Sequence, residues 1–311
     1  MKFIDKTILA IEAEAIVSAF LKELKVEGEA YPKDLYSAFK SVKNEENILL
    51  QNLLTNLLLK EQRNRCCYCM RKLDSEDEEK TLEHLIPNKT KSKAIFDTYL
   101  NPETVLNDEN VCFAEDFINK QETKFPPYPH TIAYHNLSVS CNGKISRTDS
   151  AIHCNLKRGD EYVKPFILYS KISAEFEYKP DGYVIWKDND KNRAKDALDE
   201  LGLNTERLRI IRRIWFQAVQ NNFSITECTD IQKKEFLIKL EKEVPNDELG
   251  ILNDFKNNQK HWNLLKKYDY FRLKFLARKL NALTPTESMD LIENFDSNLN
   301  KQTIFHKHIN L

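Results

Sequence analysis

Cys66-Cys67-Tyr68-Cys69, set between Arg65 and Met70, is the stretch on which the fold turns. A Cys-x2-Cys pair places two thiolates at neighbouring corners of a tetrahedron around Zn²⁺ when the backbone turns between them. Such a pair needs a second one from elsewhere in the chain. Cys141, in Ser140-Cys141-Asn142-Gly143-Lys144, and Cys154, in His153-Cys154-Asn155-Leu156-Lys157, are the candidates. The bland alternative is that these are small buried hydrophobes, since free cysteine is among the most buried residue types. Cys67 lies between two expected ligands and should point away from the metal. Cys112 and Cys228 fit no pairing pattern and read as core residues.

Composition supports a metal site over a disulfide framework. The chain carries 7 cysteines, an odd number, and three of them crowd into four positions. Its 311 residues are 41% hydrophobic and 31% charged, an ordinary globular balance with room for about two domains. Only 6 glycines occur, so long helices are expected over many short turns. The formal net charge of −1 does not advertise nucleic-acid binding; any phosphate contact must come from a local basic surface. Asp5, Lys6, Glu12 and Glu14 interrupt the apolar residues of the first 25 positions, which reads as an amphipathic helix and not a signal peptide. No run reaches the length of a membrane span, and a cytoplasmic location is the expectation.

Outward from the cysteines, the flanks read as helix. Ile8, Leu9, Ile11, Ile16, Val17, Phe20 and Leu21 recur near a 3.6-residue period, and Leu49, Leu50, Leu53, Leu54, Leu57 and Leu58 do so more clearly, predicting helix over 7–62 with a break at Tyr31-Pro32-Lys33-Asp34. Ile172, Ala174, Phe176 and Tyr178, then Pro180-Asp181-Gly182, then Tyr183 to Trp186 predict a β-hairpin. From Thr205 onward, stripes of Leu208, Ile211, Ile214 and Trp215 and of Phe271, Phe275, Leu276 and Leu280 predict a helical bundle. The expected fold is mainly α: a helical region over 1–64, a zinc-stapled module with the hairpin over 65–204, and a helical region over 205–311.

Between the two half-sites lies Leu82-Glu83-His84-Leu85-Ile86-Pro87. A carboxylate binds a hard divalent cation, and a neighbouring imidazole accepts a proton from water. Alone, a Glu-His pair is common by chance. Its weight comes from its order in the chain, after Cys66-Cys67-Tyr68-Cys69 and before Asn136-Leu137, Ser140-Cys141 and Cys154-Asn155-Leu156-Lys157.

That order resembles the HNH endonuclease superfamily, and more narrowly the HNH effector subunit (PtuB) of Septu-type and retron-associated anti-phage systems. Tyr31-Pro32 ahead of a leucine-rich helix, and Ala197-Leu198-Asp199-Glu200-Leu201-Gly202-Leu203-Asn204, are similar to segments of the same family. The resemblance covers roughly residues 25–215, its specific part being 66–159. It implies a small ββα-metal module with a structural zinc on Cys66, Cys69, Cys141 and Cys154. It further implies His84 as general base, Glu83 and Asn155 as ligands of a catalytic Mg²⁺ or other divalent cation, Asn136 as the amide that holds the loop, and Lys157 as a residue facing phosphate. The long stretch 142–153 between Cys141 and Cys154 leaves His153 as a substitute zinc ligand. The stretch 85–135 must fold as an excursion.

The implied activity is metal-dependent hydrolysis of nucleic-acid phosphodiester bonds, DNA favoured, as effector in phage defence beside a PtuA-like ATPase. No Gly-x4-Gly-Lys-Ser/Thr motif occurs in the chain, so ATP dependence would belong to that partner. RNA, including tRNA, is the alternative substrate, because hydrolysis by water does not need the 2′ hydroxyl. A zinc-stapled adaptor without catalysis is the third reading. Lys89, Lys91 and Lys93 read as a phosphate contact or a solvated loop, Asp74 to Glu79 as an exposed acidic loop, and Arg207, Arg209, Arg212 and Arg213 as a surface or partner-facing cluster.

Overall fold

The computed structural model describes residues 4, 6, 8–24, 35–74, 79–88, 131–145, 151–161, 163, 167, 176–186 and 197–279. Tyr31, Pro32, Lys89, Lys91, Lys93, Cys112, the prolines of the 120–135 stretch, His130, Ile172, Ala174 and Leu280 lie outside them. The chain divides into two compact units: residues 1–144, 152–176 and 186–203 form the first, and 145–151, 177–185 and 204–311 the second.

In the first unit, helices α1 (Ala10–Leu24), α2 (Leu35–Ser41) and α3 (Leu50–Glu61) precede an antiparallel pair, β1 (Lys80–His84) and β2 (Leu137–Cys141), and a short helix, α4 (Cys154–Arg158). The leucine stripe does what its period requires: Leu50, Leu54 and Leu58 are buried, and α3 packs on both α1 and β2. The expected helix over 7–62 is interrupted at 42–49, where the sequence predicts no break, while the expected break at 31–34 lies outside the described residues. Asn44 Oδ1 accepts the Ile48 N–H, and Asn47 takes φ +62, a left-handed conformation that asparagine tolerates.

Strand β2 is buried along its whole length. One edge pairs with β1, in the register Thr81 to Ser140 and His84 to Leu137. The other edge is satisfied from α3 and the cysteine turn. The Gln62 amide donates to the Val139 carbonyl (2.7 Å) and accepts the Val139 N–H (2.7 Å), while the Cys67 N–H donates to the same carbonyl (3.0 Å). These bonds answer the requirement that buried backbone groups be paired.

In the second unit, α5 (Glu206–Gln220), α6 (Asp230–Glu241), α7 (Leu249–Asn257), α8 (Gln259–Lys266) and α9 (Tyr270–Lys279) form the expected helical array, with α5 packed on α9 and α7. Leu208, Ile211, Ile214, Trp215, Phe271 and Phe275 are all buried. The hairpin is present as β3 (Phe176–Tyr178) and β4 (Val184–Trp186). Its turn needs Gly182 at φ +85, where a Cβ would sit 2.1 Å from the Arg209 carbonyl oxygen.

In the arginine cluster of α5, Arg212 and Arg213 are internal and Arg207 and Arg209 half-buried, which corrects the surface reading. Arg212 and Arg213 are buried, Arg209 and Arg213 reach the buried carboxylate of Glu248, and Arg207 pairs with Asp254 at 2.8 Å. Arg213 also donates to the carbonyls of Asp181 and Glu243. Sequence counting sees charge but not these acceptors. Among the described residues, no helix is long and apolar enough to cross a membrane.

Candidate metal centre and catalytic site

The cysteine turn is built by backbone geometry. Arg65 and Lys72 bridge antiparallel, the Cys66 N–H donates to the Arg71 carbonyl (2.8 Å), the Met70 N–H donates to the Cys66 carbonyl (3.2 Å), and Met70 takes φ +65 to close the loop. This aims Cys66 and Cys69 the same way. Cys141 ends β2, and its N–H donates to the Cys66 sulfur (3.3 Å). Cys154 opens α4.

Gly143 and His153 meet in a tight contact beside the cluster. Gly143 stands at φ +71, the His153 N–H donates to its carbonyl (2.9 Å), and a Cβ there would lie 2.0 Å from the His153 carbonyl oxygen. Cys154 itself is held at φ +54 by a hydrogen bond from its N–H to the Leu201 carbonyl (2.7 Å). A left-handed non-glycine residue costs about 1–3 kcal/mol and persists only where surroundings over-determine it. Here they carry a thiol into a shared cluster.

The Sγ atoms of Cys66, Cys69, Cys141 and Cys154 lie within 4.8 Å of one another, all buried. Cys66 to Cys154 and Cys69 to Cys141 are each 3.7 Å. Four sulfurs at about 2.3 Å from a zinc form a tetrahedron with edges of about 3.8 Å. The cluster therefore has the size and chemistry to hold a metal such as zinc. Burial raises the Cys69 thiol, but hydrogen bonds from Cys141 and Cys154 overcome it and bring the pKa down to about 6. Cys67 turns away, its sulfur 3.6 Å from Ser138 Oγ. His153 is buried beside the cluster with Nε2 3.6 Å from the Cys141 sulfur, outside the set of four.

The cluster ties α4 to the face of β1 that carries Thr81 and Glu83, since alternate residues of a strand share a face. Asn155 Nδ2 donates to Thr81 Oγ1 (3.2 Å), and Thr81 Oγ1 is also 3.3 Å from the Ser140 carbonyl, to which it donates. The Asn155 amide is thereby oriented, and its Oδ1 has no hydrogen-bond partner among the described residues. One helical turn on, Arg158 reaches Glu83 Oε1, the His84 carbonyl and the Leu85 carbonyl (2.7 Å). Tyr68 donates its hydroxyl to the same Glu83 Oε1 at 2.9 Å.

Glu83 is only 1% exposed. Burial pushes its carboxyl up, against the pull of Arg158, and burial together with Glu83 holds the Tyr68 phenol well above its usual range, so it stays a donor. Both neighbours bond Oε1; among the described residues Oε2 accepts no hydrogen bond. Thr81 and Glu83 thus lie on the side of β1 that Asn155 and Arg158 of α4 reach.

His84, 9% exposed, projects from the opposite side of β1 to Glu83. Its Nε2 is 2.8 Å from the Thr131 carbonyl, and its ring meets Tyr36 edge to face at 4.7 Å. A carbonyl accepts only from N–H, so Nε2 carries the proton and the lone pair of the neutral ring lies on Nδ1. Asn136 clasps the loop that follows: its Oδ1 accepts the Ile86 N–H (2.6 Å), its Nδ2 donates to the Ile86 carbonyl (3.1 Å), and its own carbonyl accepts the Leu85 N–H (2.9 Å). Lys157 is exposed on α4, and Lys40 lies over the Tyr36 ring at 4.3 Å.

Sequence reasoning passed over Arg158, Tyr68, Thr131 and Tyr36. Arg158 had a readable signal, three residues after Asn155 and so on the same helix face. Tyr68 stood inside the cysteine turn. Thr131 acts through its backbone carbonyl, for which side-chain identity carries no signal. No family model matches the chain, and no curated protein matches it.

Proposed function

We propose that this chain is an HNH-type endonuclease that hydrolyses nucleic-acid phosphodiester bonds, DNA before RNA, as the effector of an anti-phage complex with an ATPase subunit. The observation that carries the reading is the clasp of Asn136 on the loop after His84, with Nε2 of that histidine committed to the Thr131 carbonyl. A histidine so held has its ring fixed in orientation by the Thr131 carbonyl and the edge-to-face contact with Tyr36.

In this reading Nδ1 of His84 takes a proton from water as the water oxygen forms a bond to phosphorus. The P–O3′ bond breaks, and its electron pair leaves on the 3′ oxygen, which is protonated from solvent. Glu83 and Asn155 would hold a divalent cation, which when bound would supply charge neutralisation for the cleavage. Arg158 opposes the burial that raises the Glu83 carboxyl and ties the His84 and Leu85 carbonyls to α4. Lys157, exposed on the same helix, faces the polyanionic backbone. A zinc held by all four thiolates would have no open position, so its role would be structural.

The test is cleavage of plasmid and of total RNA by the chain assembled with its partner, with His84→Ala beside it. Loss of a general base lowers the rate by about 10²–10⁴-fold. Plasmid cleavage lost in a His84→Ala protein with normal zinc content is expected. Cleavage of RNA alone transfers the reading to that substrate, and undiminished cleavage by the variant refutes the assignment of His84.

A further inference from the structure

Tyr68 belongs to the zinc-binding turn yet bonds outside it. Its backbone lies between Cys67 and Cys69, and its hydroxyl donates to Glu83 Oε1 at 2.9 Å from a residue that is 5% exposed. Glu83 is therefore held from two directions, each anchored in the thiol cluster: by Tyr68 from the turn that carries Cys66 and Cys69, and by Arg158 from the helix that begins at Cys154. Both bonds fall on Oε1. A carboxylate pinned through one oxygen presents the other in a fixed direction, as partners of metal-ligating side chains do.

From this we infer that Tyr68 is a positioning residue for the divalent-cation ligand Glu83, so that the turn carrying Cys66 and Cys69 acts on the affinity of the cation site through one phenol hydroxyl. The inference rests on the proposed role of Glu83 as a cation ligand. It goes further in assigning a function to the residue between the thiols, and in coupling two metal sites otherwise expected to act separately. Arg158 alone cannot replace the phenol, because it also serves the His84 and Leu85 carbonyls and the Glu161 carbonyl.

The experiment is a Mn²⁺ titration of the zinc-loaded full chain, followed by electron paramagnetic resonance, for wild type, Glu83→Gln and Tyr68→Phe, with zinc content and thermal midpoint measured in parallel. Removal of such a supporting partner costs about 10–100-fold in metal affinity. A stoichiometric Mn²⁺ site in wild type, lost in Glu83→Gln and weakened at least about 10-fold in Tyr68→Phe at one zinc per chain, is expected. Equal affinity in wild type and Tyr68→Phe overturns the inference while leaving Glu83 as a ligand. Absence of a Glu83-dependent Mn²⁺ site in wild type overturns the underlying reading instead. Should Tyr68→Phe lose zinc or unfold, wild type labelled at the tyrosine ring carbons decides: broadening of the Tyr68 resonance at one equivalent of Mn²⁺ is expected, and its persistence refutes the inference.

Discussion

Asn136 shows how much a single buried amide can organise. Its side chain satisfies both backbone groups of Ile86, and neither can turn to water. Asn136→Ala leaves a buried N–H and a buried carbonyl unpaired, each costing about 1–3 kcal/mol. Chemical denaturation of the variant should show a loss of stability of about 2–6 kcal/mol, and loss of cleavage beyond the loss of folded protein. Tyr36 supplies a second check at this scale. Burial first, and Glu83 second, push its phenol up to about 12. A group whose folded pKa lies above its unfolded value contributes stability that is full below the unfolded pKa, near 10, and is lost as pH rises through the folded one. Between about pH 10 and 12 wild type should therefore lose more stability than Tyr36→Phe. Ionisation read at 295 nm should show one tyrosine in wild type, absent from the variant, titrating only near 12.

At the scale of elements, what is legible in sequence is what is local. The leucine period of α3, the Pro180-Asp181-Gly182 turn and the Cys-x2-Cys turn each announce themselves within a dozen residues, and each appears. The pairing of Cys141 with Cys154 was legible only through chain order, because 142–153 must fold back before the thiols meet. Gly143 is where that return is decided, and its position, φ +71 with no room for a Cβ against the His153 carbonyl, depends on a tertiary approach that no local pattern encodes. Arg158 and Tyr68 sit beside motifs that local reading does find, but their partner Glu83 is a tertiary contact that such reading does not supply. Gly143→Ala should cost about 1–3 kcal/mol from backbone strain alone. It should also weaken zinc retention against a chelator, whereas Gly159→Ala, also at positive φ but with open space around it, should pay the strain and keep the zinc.

Across the whole molecule, the metal cluster belongs to one of two compact units. Structural zinc contributes folding free energy directly, so its removal should unfold the unit it staples. Calorimetry with a strong zinc chelator should lower the transition of the unit built on 1–144, 152–176 and 186–203, and leave that of the helical unit in place. Cys66→Ser should reproduce this without chelator. The cluster also bears on the catalytic reading, because Cys154, which joins Cys66, Cys69 and Cys141, opens the helix whose Asn155 and Arg158 reach Thr81 and Glu83. X-ray absorption at the zinc edge of the purified protein tests that linkage most directly. One zinc per chain with four sulfur neighbours at about 2.3 Å is the predicted result. A shell containing nitrogen from His153, or fewer than four sulfurs, would contradict it.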